Sequence, residues 1–209
     1  MYYEINNYPY GYNTSYARVL HASPDAPGVD VYLNNALIAR NLTYQNFTEY
    51  LPLMEGRYNV KVFATGTTSN PVIDTVVNIM PDSDYTIAAT GFLKDIQPLV
   101  INDTSARISP NMSQVKFVHL VPDAPRVDVT LPDGKKLFKN IAFREVSKKL
   151  LVDPGKYTIQ VRVAGTDNIV LTVPNVMLKP GKYYTIYAVG TVGGNKPLQA
   201  LIALDKASY

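Results

Sequence analysis

The chain is 209 residues long, 46% hydrophobic and free of cysteine, a composition that supports a folded core and excludes intrinsic disorder, disulfide frameworks and thiolate metal sites. At this length, two domains of about 100 residues are expected. The net charge of +3 hides an imbalance. Residues 1–108 carry six Lys/Arg against ten Asp/Glu, a net of −4, and residues 109–209 carry fourteen against seven, a net of +7.

Residues 1–15 are rich in Tyr, Asn, Pro and Gly, show no periodicity, and are expected to form a flexible tail. They lack the basic start and apolar stretch of a signal peptide. No apolar run approaches the about 18 residues of a spanning helix, so no membrane span is expected, and the sequence is either a mature chain without its leader or that of a protein made and used without Sec export. From Tyr16 a β pattern begins. Tyr16–Ala22 reads as a first strand and Ser23–Gly28 as a proline-bounded turn. Val29-Asp30-Val31-Tyr32-Leu33 alternates with period two, which places Val29, Val31 and Leu33 on one face and Asp30 and Tyr32 on the other. Asn34-Asn35 then makes a hairpin turn and Ala36–Arg40 returns. Further strands are expected over Phe47–Leu53, around Tyr58–Val62, over Val72–Ile79, from Tyr85 to Gly91, and after Pro98.

The pattern then starts again. His21-Ala-Ser-Pro24-Asp25-Ala26-Pro27-Gly-Val29-Asp30-Val31 recurs as His119-Leu-Val-Pro122-Asp123-Ala124-Pro125-Arg-Val127-Asp128-Val129, 98 residues later, and later segments stay in step at an offset of 99 once the hairpin Leu131–Lys135 has added a residue. A repeat this long means two copies of one domain. Seven or eight short strands per copy, separated by Gly, Pro, Asn or Asp and without a helical stripe, predict an all-β protein. The expected fold is two tandem antiparallel β-sandwich domains with immunoglobulin-like or transthyretin-like Greek-key connections. The boundaries expected are a tail over 1–15, a first sandwich over 16–103, a linker over 104–112 and a second sandwich over 113–209.

The stretch Tyr16-Ala-Arg-Val-Leu-His-Ala-Ser-Pro-Asp-Ala-Pro-Gly-Val-Asp-Val-Tyr32 resembles the signature of the bacterial DUF4397 family. The second copy keeps His119, Pro122, Asp123, Ala124, Pro125, Val127, Asp128 and Val129 and departs at Leu120, Val121 and Thr130. The resemblance covers about residues 16–208. It implies a secreted or cell-surface sandwich and brings no catalytic residues with it.

The duplication makes each copy a control for the other. His21 with Asp25 and Asp30, and His119 with Asp123 and Asp128, have the donor types of a divalent metal site or an acid/base pair. The simpler reading is a structural turn motif of His21, Pro24, Asp25, Pro27 and Asp30, echoed by His119, Pro122, Asp123, Pro125 and Asp128. In it the carboxylates accept backbone N–H bonds and the histidines brace the turns. A Ser23-His21-Asp25 triad is opposed by Val121 at the place of Ser23. Asp82, Asp84 and Asp95 have the oxygens of a calcium site, but copy two has Gly181 and Tyr183 at the first two places. Tyr58, Tyr157, Tyr85 and Tyr184 recur and are expected to pack with their hydroxyls bonded. Asn-x-Ser/Thr sequons at Asn13, Asn41, Asn46, Asn102 and Asn111 read as chance in an Asn/Thr-rich chain.

The sequence therefore points to a non-enzymatic structural or adhesive protein of a bacterial surface or spore-coat layer, with no cofactor. The alternative is a carbohydrate- or metal-binding module. Expected partners are a second copy, through a head-to-tail contact of oppositely charged halves or through strand addition by a tail bearing Tyr2, Tyr3, Tyr8, Tyr10 and Tyr12, and other surface or coat proteins. Nucleic acid is not expected, because the basic residues of the second half are scattered and form no compact run.

Overall fold

Alternating apolar residues bounded by Gly, Pro and Asn turns give eight strands in each copy among the described residues, 14–209 of a computed structural model. The tail tyrosines Tyr2, Tyr3, Tyr8, Tyr10 and Tyr12 and the sequon at Asn13 lie outside the described residues. Copy one contains β1 (Ser15–Ala22), β2 (Val29–Leu33), β3 (Ala36–Leu42), β4 (Leu51–Leu53), β5 (Gly56–Ala64), β6 (Ile73–Ile79), β7 (Asp84–Thr90) and β8 (Gln97–Asn102). Copy two contains β9 (Ser113–His119), β10 (Val127–Thr130), β11 (Lys136–Ile141), β12 (Leu150–Val152), β13 (Gly155–Val163), β14 (Ile169–Leu178), β15 (Tyr183–Val189) and β16 (Gln199–Leu204). The sheets run β4-β1-β7-β8 and β3-β2-β5-β6 in copy one, and β12-β9-β15-β16 and β11-β10-β13-β14 in copy two. Pairing is antiparallel except for β1 with β7 and β9 with β15, which are parallel. Among the described residues, no helix is long and apolar enough to cross a membrane.

The alternation decides what each strand buries. In copy one Ala17, Val19, Val29, Val31, Val60, Val62, Ile87 and Ala89 meet between the two sheets, and in copy two Val115, Phe117, Val127, Val129, Ile159, Val161, Ile186 and Ala188 do the same. Each fully buried Val, Ile or Phe is worth about 1.5–3 kcal/mol. The hairpin after β2 turns through Asn34 and Asn35, both at positive φ (47° and 67°), the backbone a two-residue type I′ turn needs and asparagine tolerates. The recurring tyrosines pack with their hydroxyls bonded. Tyr58 donates to Met54 O (3.0 Å) and Tyr157 to Asp153 O (2.7 Å), while Tyr85 and Tyr184 accept the N–H of Met80 and Lys179.

The central strands are buried on their second face as well. Leu20 and Ala22 of β1, Ala88 of β7 and Ile101 of β8 form one cluster with Val118 of β9, Leu120, and Tyr187 and Val189 of β15. The β4-β1-β7-β8 sheet therefore packs on the β12-β9-β15-β16 sheet, and the chain stacks four sheets, the central strands of the two middle ones being buried on both faces. Strands covered on both faces read as near-continuous apolar runs, as Val19-Leu20 and Phe117-Val118 do. The segment between β8 and β9 is tied down by the Ile108 N–H on Tyr183 Oη (3.0 Å) and by Gln114 Nε2 on Ser105 Oγ (2.8 Å).

One late segment departs from the repeat. Pro98 lies inside β8, whereas β16 begins at Gln199, two residues after Pro197. Thr90 pairs with Gln97 and Val189 with Gln199. The connection is thus six residues in copy one (91–96) and nine in copy two (190–198).

Candidate functional site

Both signature histidines sit at the end of a central strand, 0% and 1% exposed. His21 Nε2 donates to Pro27 O (2.9 Å) and His119 Nε2 to Pro125 O (3.1 Å). Their Nδ1 atoms accept the N–H of Ser23 (3.4 Å) and Val121 (3.3 Å), which requires the neutral tautomer protonated at Nε2. Burial pushes both imidazoles below their ordinary pKa, and the prolyl carbonyls offset only part of this. The rings stand edge-on to Tyr44 and Phe143.

The carboxylates that share the signature turn elsewhere. Asp25 Oδ1 accepts Leu93 N–H (2.8 Å), and Asp123 accepts the N–H groups of Val192 (2.9 Å) and Gly193 (3.0 Å). Each clamps the connection that follows the other central strand, about 70 residues on, rather than its own turn. Asp30 accepts from Asn41 N (2.8 Å) and Gly66 N (3.0 Å), and those two bonds hold it below the usual carboxylate range. Burial works against the ionised form of Asp128, but Lys136 Nζ (2.6 Å) with the N–H groups of Asn140 and Gly165 outweighs it, and its pKa also falls. Among the described residues no three His, Cys, Asp or Glu side chains gather as metal ligands.

The remaining sequence candidates also separate. Ser23 is fully buried, and its Oγ has no hydrogen-bond partner among the described residues, His21 included. Asp82 and Asp84 stand at the start of β7 and Asp95 beyond its end, about 20 Å away at the rise of a strand.

The most concentrated chemistry in the chain lies between the copies, on the second face of the middle sheets. Lys116 Nζ donates to Asp103 Oδ1 (2.7 Å) and Asp205 Oδ2 (2.9 Å). Asp103 Oδ2 also accepts from Thr86 Oγ1 (2.5 Å) and Tyr50 Oη (2.9 Å), and Asp205 Oδ1 accepts from Thr185 Oγ1 (2.6 Å). Arg18 completes the charge balance. Its Nε donates to Thr86 Oγ1 (2.9 Å), its Nη1 to Leu204 O (3.0 Å), its Nη2 lies 3.7 Å from Asp205, and its guanidinium rests between the rings of Phe47 and Tyr50. All four charges are at most 6% exposed. Burial and the neighbouring Asp103 raise the Asp205 pKa against the pull of Lys116, and burial likewise pushes Tyr50 and Tyr187 up. Cations and carboxylates come from both copies, so the contact within the chain matches charges across a sheet face instead of setting a negative copy against a positive one. The legible signal was Arg18 and Lys116, at equivalent places inside the short apolar runs 17–20 and 115–118.

Among the described residues, two clefts lie along the seam between the copies. One cleft of about 490 Å³ lies beside Arg18, Tyr50, Lys206 and Tyr209. A groove of about 480 Å³ lies at the signature end, between the Pro24–Pro27 turn with Phe92 and the loop from Thr191 to Lys196.

The family described as a domain of unknown function, DUF4397, matches residues 15–130 and 113–208. No curated protein matches the chain in sequence. Among solved structures it is similar to the Bacillus anthracis TIE protein, with 11% identity and a TM-score of 0.29, covering 86% of this chain and 34% of that one, so it spans about a third of that protein's length. It is similar to CBMbc, a family CBM26 protein of Eubacterium rectale solved with maltoheptaose, with 7% identity and a TM-score of 0.28, covering 94% and 100%. It is also similar to an alpha-glucan-binding streptococcal virulence factor, with 9% identity and a TM-score of 0.26, covering 83% and 92%.

Proposed function

The chain belongs to the DUF4397 family, and on that premise we propose that it is a non-enzymatic structural or adhesive protein of a bacterial surface layer, with the spore coat as the narrower location. One observation supports this most. In both copies the groups a reaction would need are spent on backbone: the histidines on prolyl carbonyls and the carboxylates on amide N–H groups. A general base must reach a substrate proton, and a buried imidazole bonded at both nitrogens does not. The dry face shared by the copies suits a load-bearing block, since coupled layers resist relative motion. Head-to-tail contact between the net-negative and net-positive halves of two chains, or strand addition by residues 1–15, would link such blocks.

Light scattering on the purified chain at low and high salt tests assembly. Association that rises with concentration is expected, weakened by salt if opposite charges drive it and by removal of residues 1–15 if the tail does. A monomer under every condition refutes the assembly. Protease shaving of intact cells and spores tests location, and a protein found only in the cytoplasm refutes it.

A further inference from the structure

We infer that the groove at the signature end of the seam is a binding site for a neutral saccharide. Its walls come from both copies: the Pro24–Pro27 turn and Phe92 from copy one, and the loop from Thr191 to Lys196 from copy two. It exists because the two copies are held face to face, and its volume of about 480 Å³ falls among small-ligand sites.

The lining fits this ligand class. Phe92 and Pro27 offer apolar surface for the C–H face of a sugar ring. Asp25 uses Oδ1 on Leu93 N–H, while its Oδ2 has no hydrogen bond within the described residues. Asn195 and Lys196 stand exposed on the opposite wall. One carboxylate and one ammonium leave the groove without net charge, so an anionic or cationic ligand meets repulsion from one wall. A hydroxyl both donates and accepts, and so serves Asp25 and Lys196 together.

The duplication strengthens the argument, because the equivalent rim across the seam carries a bridging arginine. There Arg144 of copy two crosses to copy one and donates to Thr90 O (3.0 Å), Asp95 O (2.9 Å) and Gln97 Oε1 (2.8 Å), with its guanidinium over the Phe143 ring. Gly91 at φ 105° makes room for it, since a Cβ there would lie 2.6 Å from Nη2. The residue matching Arg144 is Gln45, with the same left-handed backbone (φ 69° against 64°) but a shorter, uncharged side chain. The open groove is also walled by the connection that is three residues longer in copy two. A role in the shared fold alone would build both rims alike.

This inference rests on the non-enzymatic reading only in that the saccharide is held and not cleaved. The full chain is titrated by calorimetry with maltoheptaose, cellohexaose and chitohexaose as neutral oligomers, and with an anionic heparin hexasaccharide as a control. Saturable binding of at least one neutral oligomer is expected, weakened about tenfold by Lys196→Ala or Asn195→Ala and abolished by Gln45→Arg, which copies the bridging arginine of the other half. Thermal melting of each variant confirms that it folds. No saturable binding of any neutral oligomer, tighter binding of the heparin fragment, or undiminished binding by folded Gln45→Arg overturns the site. Accumulation of new reducing ends would instead overturn the non-enzymatic reading while leaving the groove in place.

Discussion

Acidification should begin to destabilise this protein above the carboxylate range, and the two signature histidines should be the cause. Each is buried and neutral, with Nε2–H on a prolyl carbonyl and Nδ1 accepting a backbone N–H. A proton added at Nδ1 would face that N–H and place a charge in a dry site, so both folded pKa values lie below the ordinary 6.5. The unfolded chain then binds protons that the folded chain refuses. The stability held by each histidine is complete above about pH 6.5 and is lost as pH falls toward its folded pKa. Each contributes a slope of at most about 1.4 kcal/mol per pH unit, and the two together at most about 2.7. Asp205 acts in the opposite sense. Its raised pKa gives stability that is present below the unfolded carboxylate value and lost as pH rises through the folded one. Asp30 and Asp128, with depressed pKa values, lose their contribution only below about pH 4. Urea titrations followed by tyrosine fluorescence between pH 5 and 7.5, on the natural chain and on His21→Gln/His119→Gln, isolate the histidine part, because the carboxylates are common to both. The variant should be less stable at pH 7.5 and should lose less on acidification. Equal pH dependence of the two proteins would refute neutral, doubly bonded imidazoles.

Three further outcomes follow from single side chains. Ser23→Val should stabilise the fold by about 1 kcal/mol, since it removes a buried hydroxyl without a partner and installs the residue copy two has at Val121; a lower urea midpoint would show that the site cannot take the added volume. Lys116→Met should cost about 3–5 kcal/mol by leaving Asp103 and Asp205 buried without their shared cation. Adding Asp103→Asn and Asp205→Asn should recover part of that loss, and a mild effect of Lys116→Met alone would show the network to be wet. Asp123→Ala should cost about 1 kcal/mol and speed amide exchange at Val192 and Gly193, whose N–H groups it holds; unchanged exchange there would place those bonds outside the solution structure.

The sheets were legible because their signals are local. Val29-Asp30-Val31 and Val127-Asp128-Val129 alternate as half-buried strands must, and Asn34-Asn35 and Pro132-Asp133-Gly134 mark turns by their own backbone preferences. The parallel pairing of β1 with β7 was not legible, since partners about 70 residues apart leave no short-range mark. The buried network was missed for the same reason. Asp103 and Asp205 follow the last strand of each copy, where a carboxylate normally meets solvent, and only the apposed copy makes the place dry. Asp25 and Asp123 were recognisable as acceptors, but the N–H groups they hold belong to connections that the chain brings near only on folding. The offset of 99 failed over the last strand because copy two carries three extra residues between its last two strands.

The two copies divide into what they share and what they do not, and the division carries physical meaning. Shared features, such as the histidine on a prolyl carbonyl, the aspartate on a distant amide pair and the tyrosine against a turn, each satisfy backbone that the sandwich would otherwise bury unpaired. The interface is shared in form but altered in detail: Arg18 stands where copy two has Lys116, and Tyr50 where it has Lys149. A cation of each copy is satisfied in part by an acceptor of the other, as Arg18 is by Leu204 O and Lys116 by Asp103. Neither sheet face could lose its partner without exposing Leu20, Val118 and Leu120 to water together with charges that are now paired. Unshared features remain only where that constraint ends, at the rim of the seam. There copy one has Gln45 where copy two has Arg144, a longer loop forms one wall of the groove, and at that rim one copy is free to change without costing the other its fold.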